Sequence, residues 1–271
     1  MATATASRPG TGTSAGSKAP ASALWFNYNE GAFKGSEPFF FDTNDFQWVK
    51  EIESKWHVIY EELMTLVKEH ESSLMPYPNR EMTTKLNKWK TFGFMFWTIK
   101  SRSNCKKCPE TWKLLKTIPN LLAGSFSLLE AGTTIKPHQG DTNAIVRCHL
   151  GLKIPAPAPQ CAFRVGNETR GWNEGKFLMF CDAHTHTAWN NSNEKRYIMI
   201  LDVMRPEYAA QKKTICSRVL AAIYIEIAYQ RSQFLRKHFD TKKKKAFVFG
   251  ALKTAFRIGL MAGLSFSEFP S

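Results

Sequence analysis

Residues 144–154 read AIVRCHLGLKI, and residues 196–204 read RYIMILDVM. Each is a nearly continuous apolar run of strand length that contains β-branched residues, which indicates a buried strand. Three shorter runs of similar character are SFSLLE (125–130), CAFRV (161–165) and KFLMF (176–180). Clusters rich in Gly, Pro and Asn separate these runs. Several short strands divided by such turns predict an all-β sandwich or jelly roll from about Gly124 onward.

Helical patterns flank the strand-rich part on both sides. The predicted helices are 45–70, with Asn44 or Asp45 as N-cap, 109–118, 207–238 and 246–264, the last two divided by the lysine run 242–245. We therefore expect a mainly β fold with flanking helices, in which a jelly-roll core carries N-terminal helices and a C-terminal helical extension.

The composition permits one sizeable core. The chain has 271 residues, of which 43% are hydrophobic, and this excludes a disordered protein. Residues 1–23 are small and polar and contain no acid, so we expect a disordered arm there. The expected organisation is the arm 1–23, a jelly-roll domain with its N-terminal helices at 24–208, and a basic helical extension at 209–271.

The positive charge is concentrated near the C-terminus. The chain has 37 Lys and Arg against 23 Asp and Glu, a net charge of +14. Residues 209–271 contain 12 of the basic residues and only three acids, so we expect no nucleic-acid-binding body. A basic amphipathic helix beside four lysines can bind an anionic membrane surface through 240–264. The alternative is a helix packed on the jelly roll with a solvated lysine turn.

Targeting and cysteine patterns are weak. No apolar run is long enough to span a membrane and no secretory signal is visible, so we expect a cytoplasmic protein or one peripheral to a membrane. The acid-poor start leaves an N-terminal transit peptide as the alternative. Cys105 and Cys108 form a single CxxC, for which free thiols or a local bridge are favoured over zinc.

Candidate chemistry lies in the strand-rich half. His138 and His186 are placed in loops before the two long strands, and histidines at the ends of jelly-roll strands are typical of iron sites. The alternative is two surface histidines. Arg147 and His149 point to one face of their strand, and Arg196 begins another.

An inward arginine requires a buried anion. No acid on a neighbouring strand is an obvious mate, and Asp202, on the strand of Arg196, is the best structural partner. The functional alternative is a small dicarboxylate, which the guanidinium fork binds in a bidentate manner.

Two blocks carry a family resemblance. They are SFSLLEAGTTIKPHQGDTNAIVRCHLGLKIP and GNETRGWNEGKFLMFCDAHTHTAWNNSNEKRYIMILDVMRPE. From about residue 86 to 208 the sequence resembles the aspartyl/asparaginyl β-hydroxylase family of Fe(II)/2-oxoglutarate-dependent dioxygenases. The resemblance implies a cupin-like double-stranded β-helix. It also implies an enzyme that uses Fe(II), 2-oxoglutarate and O2 to hydroxylate an unactivated C–H, releasing succinate and CO2.

The resemblance also assigns roles to residues. His138 and His186 would be the iron ligands, and Arg196 with Ser127 would hold the distal carboxylate of 2-oxoglutarate. Arg147 and His149 would meet its metal-proximal end. The resemblance also places Gly140 where related oxygenases carry an acidic ligand, and it makes His184 a non-ligand. Asp141 follows Gly140 and is favoured as a turn residue over a ligand.

The substrate stays open. Ser125 and Ile145 replace basic residues that animal members use for substrate carboxylates, which puts a protein Asp or Asn substrate in doubt. The partner of a cysteine bridge in those members is Trp112 here, so that bridge with Cys105 is not expected. The alternatives are a small molecule, a lipid hydroxylated at a membrane, or a non-enzymatic β-sandwich binding module.

Overall fold

A computed structural model describes residues 23–239 and 241–261. Apart from Ala23, the expected arm 1–23 lies outside the described residues, as does the end of the predicted helix 246–264. The organisation into an arm, a core domain and an extension therefore stays a prediction.

The described chain contains eleven strands and eight α-helices. The strands are β1 Met75–Pro76, β2 Trp89–Phe96, β3 Ile99–Lys100, β4 Leu121–Leu129, β5 Thr133–His138, β6 Ile145–Lys153, β7 Cys161–Val165, β8 Glu168–Arg170, β9 Phe177–Phe180, β10 His186–Asn190 and β11 Arg196–Met204. The helices are α1 Asn27–Glu30, α2 Trp48–Ser54, α3 Trp56–Glu69, α4 Arg102–Lys107, α5 Pro109–Leu115, α6 Lys212–Arg231, α7 Gln233–His238 and α8 Lys242–Met261. Short 3-10 turns are Thr43–Asp45, Glu71–Ser73, Arg80–Met82 and Pro206–Gln211.

Two antiparallel sheets face each other. The larger sheet has the order β1-β2-β4-β11-β6-β9, with β3 on β2, and the smaller has the order β5-β10-β7-β8. Strands that are neighbours in sequence often lie in different sheets, as β4 and β5 do, which is the connectivity of a jelly roll. The predicted fold class is confirmed. The strand β2, which pairs with β4 over most of its length, was not predicted.

Strand β11 lies in the middle of the larger sheet and separates two apolar layers. Its residues Tyr197, Met199 and Leu201 belong to the layer under α2, α3 and α5. Its alternate residue Ile198 belongs to the layer between the two sheets, where Ile200 also packs. The period of two along a strand produces this division. Any polar side chain that shares the parity of Ile198 therefore points between the sheets.

The N-terminal helical part is divided more finely than predicted. The single helix expected at 45–70 is two helices, α2 and α3, with Lys55 between them at φ −113° and ψ 12°. Asp42, rather than Asn44 or Asp45, caps the preceding turn by accepting a hydrogen bond from the Asn44 backbone N–H. Both helices bury apolar residues that fit one continuous helical pattern. The hydrophobic pattern of the sequence therefore does not show the break at Lys55.

The C-terminal extension packs against the end of the larger sheet. Buried residues of α6, among them Val219 and Leu220, join Ile145 and Met204 in one apolar cluster, and Phe256 of α8 completes it. The lysine run 242–245 lies inside the first turns of α8, so the predicted boundary there is wrong. In the described part of the chain, no helix is both long and apolar enough to cross a membrane.

A carboxylate from α3 caps α5. Glu62 accepts hydrogen bonds from the backbone N–H groups of Glu110 and Thr111, at 2.9 and 2.7 Å. Glu62→Gln keeps one acceptor but removes the charge that favours a helix N-terminus, so we expect a loss of about 1–2 kcal/mol in the free energy of unfolding. Urea unfolding measures it. Glu69→Gln, an exposed change at the end of α3, is the control, and equal losses in both variants would contradict the capping role.

Candidate functional site

The two predicted histidine ligands are direct cross-strand neighbours in the smaller sheet. His138 ends β5, His186 begins β10, and the two residues pair in register. Their ring centroids lie 4.2 Å apart. The expectation that they lie in loops is wrong, because both belong to strands. The register shifts next to this pair, where two residues of β5, Lys136 and Pro137, lie opposite the single residue Thr187 of β10.

Hydrogen bonds fix which nitrogen of each ring is free. Nδ1 of His138 lies 2.8 Å from the carbonyl oxygen of Lys136, and Nδ1 of His186 lies 2.8 Å from that of His184. A carbonyl only accepts, so each Nδ1 carries the proton and each Nε2 keeps its lone pair.

Both rings are neutral at physiological pH. Burial lowers the pKa of His138 to about 4 and lowers the pKa of His186 well below its usual value. Two adjacent neutral imidazoles, each oriented by a carbonyl, fit a metal ion such as Fe(II). In the described chain no cluster of three His, Cys, Asp or Glu side chains is arranged for a metal.

Arg147 is already matched by acids. It forms a bidentate pair with Asp202, its cross-strand neighbour on β11, at 2.7 and 3.0 Å. Its Nη1 also lies 2.6 Å from Oδ1 of the fully buried Asp182. Burial alone would lower the pKa of Arg147, but the two acids raise it well above its usual value. The expectation that no neighbouring strand offers it an acid is therefore wrong, and Asp202 serves Arg147 rather than Arg196.

Asp182 reaches the histidine pair from the turn before β10. Its Oδ1 lies 3.6 Å from Nε2 of His186. A Cβ placed on Gly140 would lie 1.5 Å from Oδ2 of Asp182, so the carboxylate fills the space beside that glycine. Burial raises the pKa of Asp182, although the guanidinium of Arg147 opposes the shift. Sequence reasoning missed Asp182; its position four residues before His186 was the available signal.

Arg196 is a buried cation without a matching acid in the described chain. Its side chain is 1% exposed, and its Nε and Nη2 atoms have no hydrogen-bond partner. The guanidinium lies 4.8 Å from the ring centroid of Trp172. Burial lowers its pKa to about 10, so it stays charged at neutral pH. An unpaired buried charge is costly, and a bound anion would remove that cost.

Two indoles turn neighbouring side chains into donors. Trp89 Nε1 donates to Oγ of Ser127 at 3.0 Å, and Trp172 Nε1 donates to Nδ1 of His149 at 3.3 Å. The hydroxyl hydrogen of Ser127 is thereby free, and the proton of neutral His149 lies on Nε2. Burial, with the charges of Arg196 and Arg147, lowers the pKa of His149 well below its usual value. Sequence reasoning gave neither tryptophan this role, because Trp89 lies between two lysines and Trp172 in a polar segment, and only the fold brings their indoles to Ser127 and His149.

The predicted site residues converge between the sheets. Ser127, Arg147, His149 and Arg196 share the inner face of the larger sheet through the register of β11 with β4 and β6. The rings of Phe163 and Phe180 each contact the rings of both His149 and His186, with centroids 4.9–5.7 Å apart, and they contact each other at 4.5 Å. Two aromatic side chains thus lie between the His138–His186 pair and the side of the interior where Arg196, Ser127 and His149 present donors. The unpaired guanidinium can bind an anion, and the two imidazoles can bind a metal ion.

Other candidates lie outside this centre. The side chain of His184 is directed away, with Nε2 2.8 Å from the carbonyl oxygen of Glu37. All six cysteines are buried free thiols, and burial raises the pKa of Cys105 and Cys108 to about 11 and 12. These two cysteines are therefore poor nucleophiles.

The fold and site define a jelly-roll protein with a two-histidine centre, and sequence comparison identifies the family. The family model described as aspartyl/asparaginyl β-hydroxylase matches residues 53–206. The chain is 32% identical over 228 residues to the ornithine lipid ester-linked acyl 2-hydroxylase of Rhizobium tropici, covering 83% of this chain and 78% of that protein. This chain belongs to the aspartyl/asparaginyl β-hydroxylase family.

Animal relatives match a shorter part of the chain. Identity is 31% to the aspartyl/asparaginyl β-hydroxylase of Homo sapiens and 31% to the aspartate β-hydroxylase domain-containing protein 2 of Xenopus tropicalis. Each match covers 64% of this chain but only 23% and 48% of those proteins. Among solved structures, a Pseudomonas putida prolyl-4-hydroxylase is 12% identical with a TM-score of 0.37, covering 62% of this chain and 90% of that one. That score is too low to carry an argument.

Gly140→Ala tests the packing of Asp182 beside the histidines. The new methyl group overlaps the carboxylate, so we expect Asp182 to be displaced from Arg147 and the free energy of unfolding to fall by about 1–3 kcal/mol. Gly93→Ala is the control, because a Cβ there meets nothing within 4 Å. Denaturant unfolding and a crystal structure of the variant provide the measurements. A Gly140→Ala protein of wild-type stability with the Arg147 contact intact would refute this packing.

Proposed function

We propose that the chain is an Fe(II)- and 2-oxoglutarate-dependent hydroxylase. The observation that carries the proposal is the unpaired buried guanidinium of Arg196, which shares the inner face of the larger sheet with Ser127 and His149, both oriented as donors. A dicarboxylate supplies the missing anion. The neutral pair His138 and His186 supplies two metal ligands nearby.

Each residue has a defined part in the proposed reaction. When bound, Fe(II) with 2-oxoglutarate and O2 supplies the oxidation that hydroxylates an unactivated C–H and releases succinate and CO2. The Nε2 atoms of His138 and His186 hold the metal. Arg196 and Ser127 bind the distal carboxylate of the co-substrate, and His149 donates toward its metal-proximal end.

The guanidinium of Arg147 has fewer free donors for 2-oxoglutarate than we expected from the sequence. Asp202 and Asp182 already match its charge, so its contact with the metal-proximal end of 2-oxoglutarate stays a prediction. In the proposed enzyme it holds Asp182 beside His186. Phe163 and Phe180 keep the space between the two half-sites apolar and exclude water from it.

The donor pocket also argues against a non-enzymatic module. A binding module with relic histidines gains nothing from keeping a buried cation unpaired, and substitution by an apolar residue would stabilise it. The unpaired charge of Arg196 lowers the stability of the fold, and only the binding of an anionic ligand offsets this loss. The two indoles orient Ser127 and His149 for the same ligand.

For the substrate we propose the acyl chain of a membrane lipid. The match to the Rhizobium tropici lipid hydroxylase is longer than the family region 53–206 and covers most of both proteins. Ser125 and Ile145 carry no charge, so neither position offers a cation to a substrate carboxylate. Ser125 is half-buried and Ile145 is fully buried. A protein Asp or Asn side chain is the second candidate, since the animal relatives are named for it.

The assay is 2-oxoglutarate decarboxylation with Fe(II), in the presence of either an ornithine lipid in mixed micelles or an Asp-containing peptide. We expect the lipid to stimulate succinate formation and to gain one oxygen by mass spectrometry. Stimulation and oxygen gain with the peptide alone would overturn the lipid assignment but keep the enzyme class. Absence of any Fe(II)-dependent succinate would overturn the class itself.

A comparison of His186→Ala with His184→Ala tests which of the two histidines is the metal ligand. The first removes a proposed ligand, so we expect metal affinity to fall by about ten- to a hundredfold or more and succinate formation to stop. The second leaves the backbone carbonyl that orients His186 and retains both properties. Calorimetric titration with Mn(II), with no turnover needed, measures the affinity. The reverse result would assign the ligand to His184.

Arg196→Met separates anion binding from structural pairing. The change removes an unpaired buried charge, so we expect the thermal stability of the ligand-free protein to be equal or higher. We also expect the KM for 2-oxoglutarate to rise by about ten- to a hundredfold. Thermal melts with and without 2-oxoglutarate and Mn(II) check both, because only the wild type gains stability from the ligand. Arg164→Met, at an exposed arginine of β7, is the control; a large stability loss at 196 would show a structural role.

A further inference from the structure

The C-terminal helix α8 is apolar on two opposite sides. On its inner side Phe256 and Gly259 are buried, and Phe256 packs on Tyr224 of α6 with ring centroids 4.9 Å apart. On its outer side Phe247 is 75% exposed and Ile258 and Met261 are each 62% exposed. The inner side explains the attachment to the fold, whereas the outer side has no covering partner in the described chain.

The outer side residues form one straight line. Phe247, Ala251, Thr254, Ile258 and Met261 follow each other at intervals of four and three, which places them on one face of a helix. All five are exposed. We call these five residues the outer stripe. It extends over about 21 Å of the helix at 1.5 Å per residue and winds around the axis by only about 20° per seven residues.

Positive charge borders the outer stripe. The helix Lys242–Met261 contains no acid. Lys243 lies one turn before Phe247 on the same face, and Lys253 and Arg257 lie along one side of the stripe, all three of them exposed. A narrow apolar line with cations beside it is the composition of a helix that lies in the interface of an anionic membrane.

We propose that the outer stripe docks α8 flat on an anionic lipid bilayer. Its apolar side chains would lie below the headgroups, and Lys243, Lys253 and Arg257 would lie among the headgroups. A second copy of the chain is a poorer occupant, because a twofold contact along the stripe brings these cations toward one another. Acidic lipids match them. The proposal does not depend on the proposed hydroxylase activity, since docking needs neither iron nor 2-oxoglutarate.

The docking helix is connected to the segment beside the histidine centre. Phe249 of α8 stacks on Tyr28, with centroids 4.8 Å apart and an interplanar angle of 20°. The preceding residue, Asn27, donates through its backbone N–H to the carbonyl oxygen of Asp141 at 2.9 Å and through its side chain to that of Gln139 at 3.3 Å. Gln139 directly follows His138. A bilayer bound to α8 would thus lie one chain segment away from the site.

The test is co-sedimentation of the full chain with vesicles of phosphatidylcholine and phosphatidylglycerol, and with phosphatidylcholine alone. We expect binding to the anionic vesicles that weakens with added salt. The triple variant Phe247→Gln, Ile258→Gln, Met261→Gln removes the apolar line, and Lys243→Glu, Lys253→Glu, Arg257→Glu reverses the charge. Each should weaken vesicle binding at least about tenfold.

Control variants place the same kinds of change elsewhere: two apolar residues and three lysines. Met75→Gln with Leu86→Gln replaces exposed apolar residues outside the extension, and Lys68→Glu, Lys106→Glu, Lys116→Glu gives an equal charge change on α3, α4 and after α5. Unchanged circular dichroism and thermal midpoints show that all variants fold. Equal vesicle binding by the stripe variants and the wild type overturns the proposal. So does light scattering that shows a wild-type dimer, made monomeric by the apolar triple, with no vesicle binding.

Discussion

The unpaired charge of Arg196 is the constraint around which the interior is organised. Along the inner face of β11 an arginine stands at one end and Asp202 at the other, with Ile198 and Ile200 between them. Had the acid been closer, the two would pair and close the pocket. Instead Asp202 serves Arg147, and Arg196 rests against the ring of Trp172. The fold therefore bears the cost of a buried cation until an anion arrives.

The apolar residues around this charge also have a polar function. Trp89 and Trp172 are large buried side chains, and each also donates its indole N–H to a neighbouring acceptor, Oγ of Ser127 or Nδ1 of His149. Because these acceptor atoms are occupied, they do not repel a bound anion. Ser127 and His149 are left with outward donors. The same aromatic residues therefore pack the core and orient the donors. In this way polar groups can be aligned inside a layer that is otherwise hydrophobic.

Much of this could be predicted from the sequence, and what could not be predicted has physical reasons. Long buried strands such as β6 and β11 show their apolar runs directly, and the parity of Arg147 and His149 placed both on one face. Strand β2 and the break at Lys55 have no such signal, because tertiary packing decides them. The partner of Arg147 depends on register: Asp202 lies 55 positions away and meets it only because β6 and β11 pair as they do.

Acidic side chains surround Arg147 near the histidine pair, and one of them, Asp182, fills the space that a side chain at position 140 would need. Asp182 lies beside His186, and Asp141, Asp182 and Asp202 all act electrostatically on Arg147, which is their common counter-charge. Burial raises the pKa of Asp141 to about 6 and raises that of Asp182 as well, and a divalent cation would lower both. The acid-rich end thus suits a metal ion and the Arg196 end a dianion. The carboxylate of Asp182 already enters the space beside Gly140 from the turn before β10, so an acid at 140 would add a second charge where the first has no room to move.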